Sequence, residues 1–294
     1  MTLTLEQIKD YQTHGYLIVE DVFDDEDLQP VIDEISREID ERARLLHAEG
    51  KIADLCEKEP FERRFALLRK QCPEIGERFD IMHSLGRAMF DFLRNEKLLD
   101  TASCLLGREI SCNPIQHLRA KLPWTGEGEQ PTGFDNVPWH QDVGVTTEDS
   151  EASEIITFWI PLVDATKETG CMQIIPDAFK RGALKHQAEG GTSIVPEQMP
   201  EIPPIHAECR KGGIVIMNKY TPHRGTPNRS GIIRWSLDLR YHKTGARSGR
   251  DHQPSFVVRS AADPGSVLTD HEVWRRLWTE SLRQPAPNRR LHRV

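Results

Sequence analysis

At 294 residues, with 37% hydrophobic and 29% charged positions, the chain has the make-up of a globular protein able to bury a sizeable core. Its net charge of −8 argues against general binding to nucleic acid or to anionic membranes. No stretch approaches the run of about 20 apolar residues that a membrane-spanning helix needs.

The opening residues are polar and acidic where a signal peptide is basic and then apolar, so a cytoplasmic protein is expected. Thr4-Leu5-Glu6-Gln7 has the form of a capping box, predicting a helix that runs to His14 and stops at Gly15. Tyr16–Val19 reads as a short buried strand. From Asp24 to Leu46, apolar residues at Leu28, Val31, Ile32, Ile35, Ile39 and Leu46 keep helical spacing behind an acidic start. Further helical patterns cover about 61–70 and 81–106, the latter ending at Gly107. From Ile110 the texture changes to short β-type runs between Pro/Gly turns, at 110–121, 155–163, 171–175, 213–218 and 232–241. Helices followed by many short strands predict a β-sandwich or barrel with an N-terminal helical layer. A last helix is expected near Asp270–Arg283, with Val273, Trp274, Leu277, Trp278 and Leu282 as a packing stripe. From Ala246 onward nine Arg and no Lys face five Asp and Glu, a net of +4, so the remainder carries −12 of the total of −8. The six cysteines (Cys56, Cys72, Cys104, Cys112, Cys171, Cys209) include no C-x-x-C pair and are expected to be reduced thiols.

Two imidazoles and one carboxylate on one face of a metal leave three positions open, which suits Fe(II) that must bind a co-substrate and O₂. On a strand, residues two apart point to the same side, so His140-Gln141-Asp142 can offer two ligands and His223 the third. His-x-acid alone is weak evidence, since chance supplies about two such pairs at this composition. Two decoys are indeed present, His47-Ala48-Glu49 and His206-Ala207-Glu208. The first sits in a helical pattern, where positions two apart diverge. The second lies too close to His223 to leave room for the strands between. Around His223 the setting is richer: a glycine turn feeds an apolar strand into the histidine, and a second strand brings Arg234 eleven residues later. A guanidinium there offers planar, bidentate recognition of the distal carboxylate of 2-oxoglutarate.

The block Pro138-Trp139-His140-Gln141-Asp142, the runs Ile156–Asp164 and Glu168–Pro176, and the segment His223–Tyr241 together resemble the phytanoyl-CoA dioxygenase family. The resemblance spans about 110–245 and extends to the N-terminal helices. It implies a mainly β fold, a double-stranded β-helix (jelly-roll, cupin-like) core with flanking helices, and Fe(II)/2-oxoglutarate oxygenation. By motif position it implies His140, Asp142 and His223 as iron ligands and Arg234 as the 2-oxoglutarate anchor. The chain is thus expected to form a single oxygenase domain over 1–294. Its parts are a helical layer (1–107), the β core (108–245) and an Arg-rich extension (246–294). Relatives often carry a hydroxyl residue two after the distal histidine; here Gly225 stands there and Thr226 follows as the candidate substitute. Where relatives often read Gly-Ser-His, this chain reads Asp177-Ala178-Phe179.

Strand geometry adds further cofactor candidates. Thr157 and Trp159 share one face, and Gln116 lies on the strand expected beside the metal. Lys121 and Arg119 are read instead as solvated strand-end cations. The expected reaction consumes 2-oxoglutarate and O₂ at Fe(II) and hydroxylates or desaturates a C–H bond of a small-molecule metabolite. No nucleic-acid or membrane partner is expected. Halogenation is disfavoured because Asp142 stands where that chemistry needs a small residue. The alternative from another class is a non-catalytic β-barrel that binds a metal or ligand. The loops 123–138 and 182–204 and the Arg-rich tail are expected to shape the substrate pocket.

Overall fold

A computed structural model describes residues 2–128, 130–131, 136–188 and 192–284. Parts of the expected substrate loops (129, 132–135 and 189–191) and of the tail (285–294) lie outside these described residues.

The N-terminal layer forms where caps and periodicity agree. Helix α1 (Leu5–His14) starts on the Thr4–Gln7 capping box and ends at Gly15, whose φ of 78° places it in the left-handed region. Strand β1 (Tyr16–Val19) follows, then α2 (Asp25–Ala48), capped by Asp24 and burying Leu28, Val31, Ile32, Ile35, Ile39, Ala43 and Leu46. Helix α3 spans Phe61–Gln71. The helix expected over 81–106 is instead three pieces, α4 (Ile81–Ser84), α5 (Arg87–Phe92) and α6 (Glu96–Leu106). Leu85 turns left-handed at φ 50°, and the Asn95 side chain caps α6 by accepting from the amides of Lys97 and Leu98. Apolar periodicity runs through all three pieces and hides those breaks.

The β region comprises β2 (Ile110–Cys112), β3 (His117–Lys121), β4 (Ile155–Pro161), β5 (Met172–Ile174), β6 (His186–Gln187), β7 (Ser193–Ile194) and β8 (Ile205–Ala207). It continues with β9 (Ile214–Asn218), β10 (His223–Gly225), β11 (Arg234–Lys243) and β12 (Phe256–Arg259), before α7 (His271–Arg283). The single strand expected over 110–121 is split at Asn113-Pro114, where Asn113 Oδ1 accepts from the Ile115 amide at 3.0 Å.

An antiparallel sheet runs β1-β9-β4-β11-β2-β12, with β3 also paired to β11. A three-stranded sheet, β10-β5-β8, faces it. The result is a jelly-roll of two antiparallel sheets that do not close into a barrel. The two faces of the large sheet have separate tasks. Ile156, Phe158 and Ile160 of β4, with Trp235, Leu237, Leu239 and Tyr241 of β11, pack against the helical layer in the main core. Trp159 of β4, with Val215 and Met217 of β9, meets Met172, Ile174 and Ala207 of the small sheet in a second core. Of the expected stripe, Trp274 and Trp278 of α7 join the main core, whereas Val273 is half-buried and Leu277 and Leu282 are exposed, so the packing face is narrower than the apolar pattern. No helix among the described residues is long and apolar enough to cross a membrane.

Candidate metal centre

His223 begins β10, and its backbone exchanges both hydrogen bonds with that of His140, at 2.9 and 3.0 Å. This bridge ties the His140 segment to the small sheet. The expected strand through Asp142 does not form: Asp142 opens a 3₁₀ turn over Asp142–Val145, and the Val143 amide bonds the Lys219 carbonyl at 3.1 Å. Gln141 alone remains extended, at φ −114° and ψ 145°. That single residue is enough to leave His140 and Asp142 on one side.

The three ligand groups converge, with one donor atom of each within 4.8 Å of the others. Asp142 Oδ1 stands 3.8 Å from His140 Nε2 and 4.0 Å from His223 Nε2. Both imidazoles place Nδ1 at 2.9 Å from a backbone carbonyl, that of Pro138 for His140 and that of Thr221 for His223. A proton held there leaves each Nε2 lone pair facing the centre, as metal ligation requires. Burial pushes His140 down to about 3, aided by His223, so its ring is neutral at physiological pH. Burial opposes ionisation of Asp142. The Arg240 guanidinium, bonded to Oδ1 at 2.7 Å, outweighs it and holds the carboxyl well below the usual carboxylate range. Thr157 donates its hydroxyl to Asp142 Oδ2. Two imidazoles and a fixed carboxylate fit a borderline divalent cation such as Fe(II). Among the described residues no other group of three His, Cys, Asp or Glu side chains is placed to hold a metal. The decoys lie elsewhere: His47 is in the last turn of α2, and His206 is exposed on β8 while Glu208 accepts from the Lys167 amide.

The centre opens into a cleft lined among others by Thr157, Trp159, Met172, Arg224, Arg234 and Asp238. Arg234 is 4% exposed, donates to the Gly170 carbonyl at 3.3 Å and to Ser236 Oγ at 2.5 Å, and lies over the Trp159 ring at 5.1 Å. No described carboxylate forms an ion pair with it, and burial pushes it down to about 10.

The other expected cofactor residues divide. Trp159 lines the cleft as a platform for Arg234. Thr157 lines it too, but its hydroxyl is spent on Asp142. Gln116 does not line the cleft. Its amide donates to Asn113 O at 2.5 Å and Arg240 O at 2.9 Å and accepts from Arg240 N at 3.2 Å, fixing the Arg240 backbone. The Thr226 hydroxyl turns away to Cys171 O at 2.6 Å, so it does not replace the hydroxyl missing at Gly225. A Cβ at Gly225 would come within 2.9 Å of both Lys121 Nζ and Asn136 Oδ1, which explains the glycine. Lys121 is not solvated as expected but 2% exposed, bonded to Asn136 Oδ1 at 2.7 Å and Thr226 O at 2.6 Å. Arg119 is likewise drawn inward, pairing with Asp238 at 3.0 Å on the cleft wall. The Asp177-Ala178-Phe179 turn docks on α1, with the Asp177 amide on His14 O at 3.0 Å.

The phytanoyl-CoA dioxygenase (PhyH) family model matches residues 11–236. The chain belongs to this family. Among its relatives, the phytanoyl-CoA dioxygenase domain-containing protein 1 homolog of Dictyostelium discoideum is 22% identical over 271 residues, covering 82% of this chain and 92% of that protein. The fold is shared with the epimerase SnoN, solved in complex with Fe3+, alpha ketoglutarate and nogalamycin RO. The likeness has a TM-score of 0.56 and 17% identity, over 82% of this chain and 84% of that one. It is shared also with the apo form of the non-heme monooxygenase ThoJ, at a TM-score of 0.55 and 16% identity, over 94% and 98% of the two chains.

Two residues that shape this centre escaped the reading of the sequence. Gln141, between the two ligands, is fully buried; its amide donates to Gly182 O at 2.9 Å and Tyr220 O at 2.6 Å and accepts from Leu184 N at 2.7 Å. Arg240 holds Asp142. The alternation Arg234, Ser236, Asp238, Arg240 along β11 was the available signal, since it sets four polar side chains on the face opposite Trp235, Leu237, Leu239 and Tyr241.

Proposed function

We propose that this chain is an Fe(II)- and 2-oxoglutarate-dependent dioxygenase that hydroxylates an unactivated C–H bond of a small-molecule metabolite. The observation that carries the reading is one cleft holding both the His140–Asp142–His223 cluster and a buried Arg234 with no described carboxylate partner. A buried guanidinium in that position calls for an anionic ligand. The distal carboxylate of 2-oxoglutarate supplies it, and SnoN, which shares this fold, was solved in complex with Fe3+ and alpha ketoglutarate. His140, Asp142 and His223 would hold Fe(II), which supplies activation of O₂ and oxidative decarboxylation of 2-oxoglutarate to succinate and CO₂ when bound.

The protein's own residues do the remaining work. Pro138 O and Thr221 O fix both imidazole tautomers, and Thr157 and Arg240 fix the two oxygens of Asp142. Arg234 and Trp159 set the distal end of the co-substrate. Arg224, which lies over the Trp139 ring at 5.2 Å, and Met172 border the space left for substrate. Substrate placement there decides the outcome, because a carbon held within near-attack distance reacts and its neighbours do not. An epimerase and a monooxygenase share the fold, which agrees with outcome following placement. The cytoplasm is the proposed location.

The experiment is a metabolite screen for succinate formed above the uncoupled background. Turnover of the hit under ¹⁸O-labelled O₂ with excess chloride then follows. One labelled atom in succinate and one in a hydroxylated product support the reading. A chlorinated product, or turnover without 2-oxoglutarate, overturns it.

A further inference from the structure

Two polar atoms on the cleft-lining face of β11 are buried with no hydrogen-bond partner, Asp238 Oδ1 and Arg240 Nε. Arg240 is the more telling, being 4% exposed with both of its Nη atoms already bonded. Its Nη1 donates to the Ile115 carbonyl at 3.2 Å and its Nη2 to Asp142 Oδ1 at 2.7 Å. Gln116 grips its backbone on both sides, so the side chain starts from a fixed point. Nε and Nη2 share one edge of the planar guanidinium and aim their hydrogens in parallel, which is what lets arginine take two oxygens side by side. The Nε–H of Arg240 therefore points beside Asp142, toward the metal face. Asp142 Oδ2 accepts from Thr157, and no hydrogen bond joins Asp142 to Arg240 Nε. A buried N–H without an acceptor is destabilising, a penalty that an oxygen bound beside Asp142 removes.

We propose that the Nε–H of Arg240 donates to the carboxylate of the 2-oxo acid end of the co-substrate. One guanidinium then both orients the metal ligand and seats the chelating end, while Arg234 takes the distal end. This inference rests on the dioxygenase reading above. The two arginines are six positions apart on the same face of β11, and Arg234 leans along the strand to Trp159, the register partner of Asp238. The strand thus presents a cation to each end of a short dicarboxylate. Arg240 binds the ligand that a 2-oxo acid shares with pyruvate; Arg234 binds the part that pyruvate lacks.

The test is calorimetric binding of 2-oxoglutarate and of pyruvate to the full chain saturated with Mn(II), without O₂. Three variants are compared with wild type. Arg240→Lys keeps a cation near Asp142 and removes the second donor; Thr157→Val loosens Asp142 and leaves Arg240 intact; Arg234→Ala removes the distal anchor. Arg240→Lys is expected to weaken both 2-oxo acids at least tenfold. Arg234→Ala is expected to weaken 2-oxoglutarate alone, and Thr157→Val to weaken Mn(II) with either acid changed less than threefold at saturating metal. Unchanged affinity of both acids in Arg240→Lys overturns the inference, as does an equal loss in Thr157→Val, which would assign the effect to Asp142. Failure of the wild-type protein to bind either acid overturns the dioxygenase reading, and this inference with it.

Discussion

Arg234 is buried beside Trp159 with only a backbone carbonyl and a serine hydroxyl as hydrogen-bond acceptors, so most of its value is reserved for a ligand. Replacing it by alanine removes a charge-assisted pair worth on the order of 2–4 kcal/mol, which is about 30- to 1000-fold in the apparent KM for 2-oxoglutarate. Iron content should stay near wild type, and Arg234→Lys should recover only part of the loss because an ammonium lacks the fork. An unchanged KM in Arg234→Ala would move the anchor elsewhere. His140 carries a second expectation, for the metal-free protein. Its ring titrates near 6.5 when unfolded, but burial holds it down to about 3 in the fold. Above about 6.5 both states are neutral; as pH falls toward 3 only the unfolded chain takes up the proton, and stability falls with it. Burial of His242, held down to about 4, acts in the same sense. Thermal unfolding from pH 7.5 to 5 should show a decline that is shallower in His140→Gln. Equal slopes would contradict the assignment. The convergence of His140, Asp142 and His223, and the place of Arg234 on the same cleft, were legible because the proposed chemistry constrains residue type and spacing together. Arg240 and Gln141 were not, since their roles depend on partners 98 and 79 positions away.

Elements were legible to the degree that local signals and packing agreed. The capping boxes of α1 and α2 set their starts, and the continuous apolar run of β4 marked a strand buried on both faces. Short strands such as β8 and β12 gave no comparable signal, because their pairing is decided by neighbours far along the chain. The Asp142 segment shows the same limit: alternation placed the side chains correctly, while the backbone leaves the strand after Gln141. Gln141 anchors that departure, and its truncation to alanine would remove the partner of the buried Leu184 amide and of the half-buried Gly182 and Tyr220 carbonyls. A loss of about 2–4 kcal/mol in chemical denaturation is expected, with weaker metal binding. Native stability in Gln141→Ala would show the clamp to be dispensable. Helix α7 gives a parallel case. Trp274 is 1% exposed and stacks near Phe90 at 5.3 Å, so Trp274→Ala should cost about 3–5 kcal/mol. A variant of native stability would mark the C-terminal segment as detachable.

Across the whole molecule, the basic C-terminal region meets the acidic remainder through Arg259 of β12, which pairs with Asp100 at 2.8 Å and with Glu96, both on α6, while Arg247 and Arg275 pair inside the region with Asp251 and Glu272. The helical layer, the large sheet and α7 share one core, and the second core between the sheets borders the metal cleft. Function therefore depends on the sheets holding three ligand groups from distant parts of the chain within a few ångströms. The most direct test of that dependence is Fe(II) content together with O₂-dependent conversion of 2-oxoglutarate to succinate. Both are measured in wild type, Asp142→Ala and Glu208→Ala. Wild type and Glu208→Ala should bind one iron per chain and form succinate, whereas Asp142→Ala should lose both. Succinate formation that survives in Asp142→Ala, or that disappears in Glu208→Ala, would contradict the account.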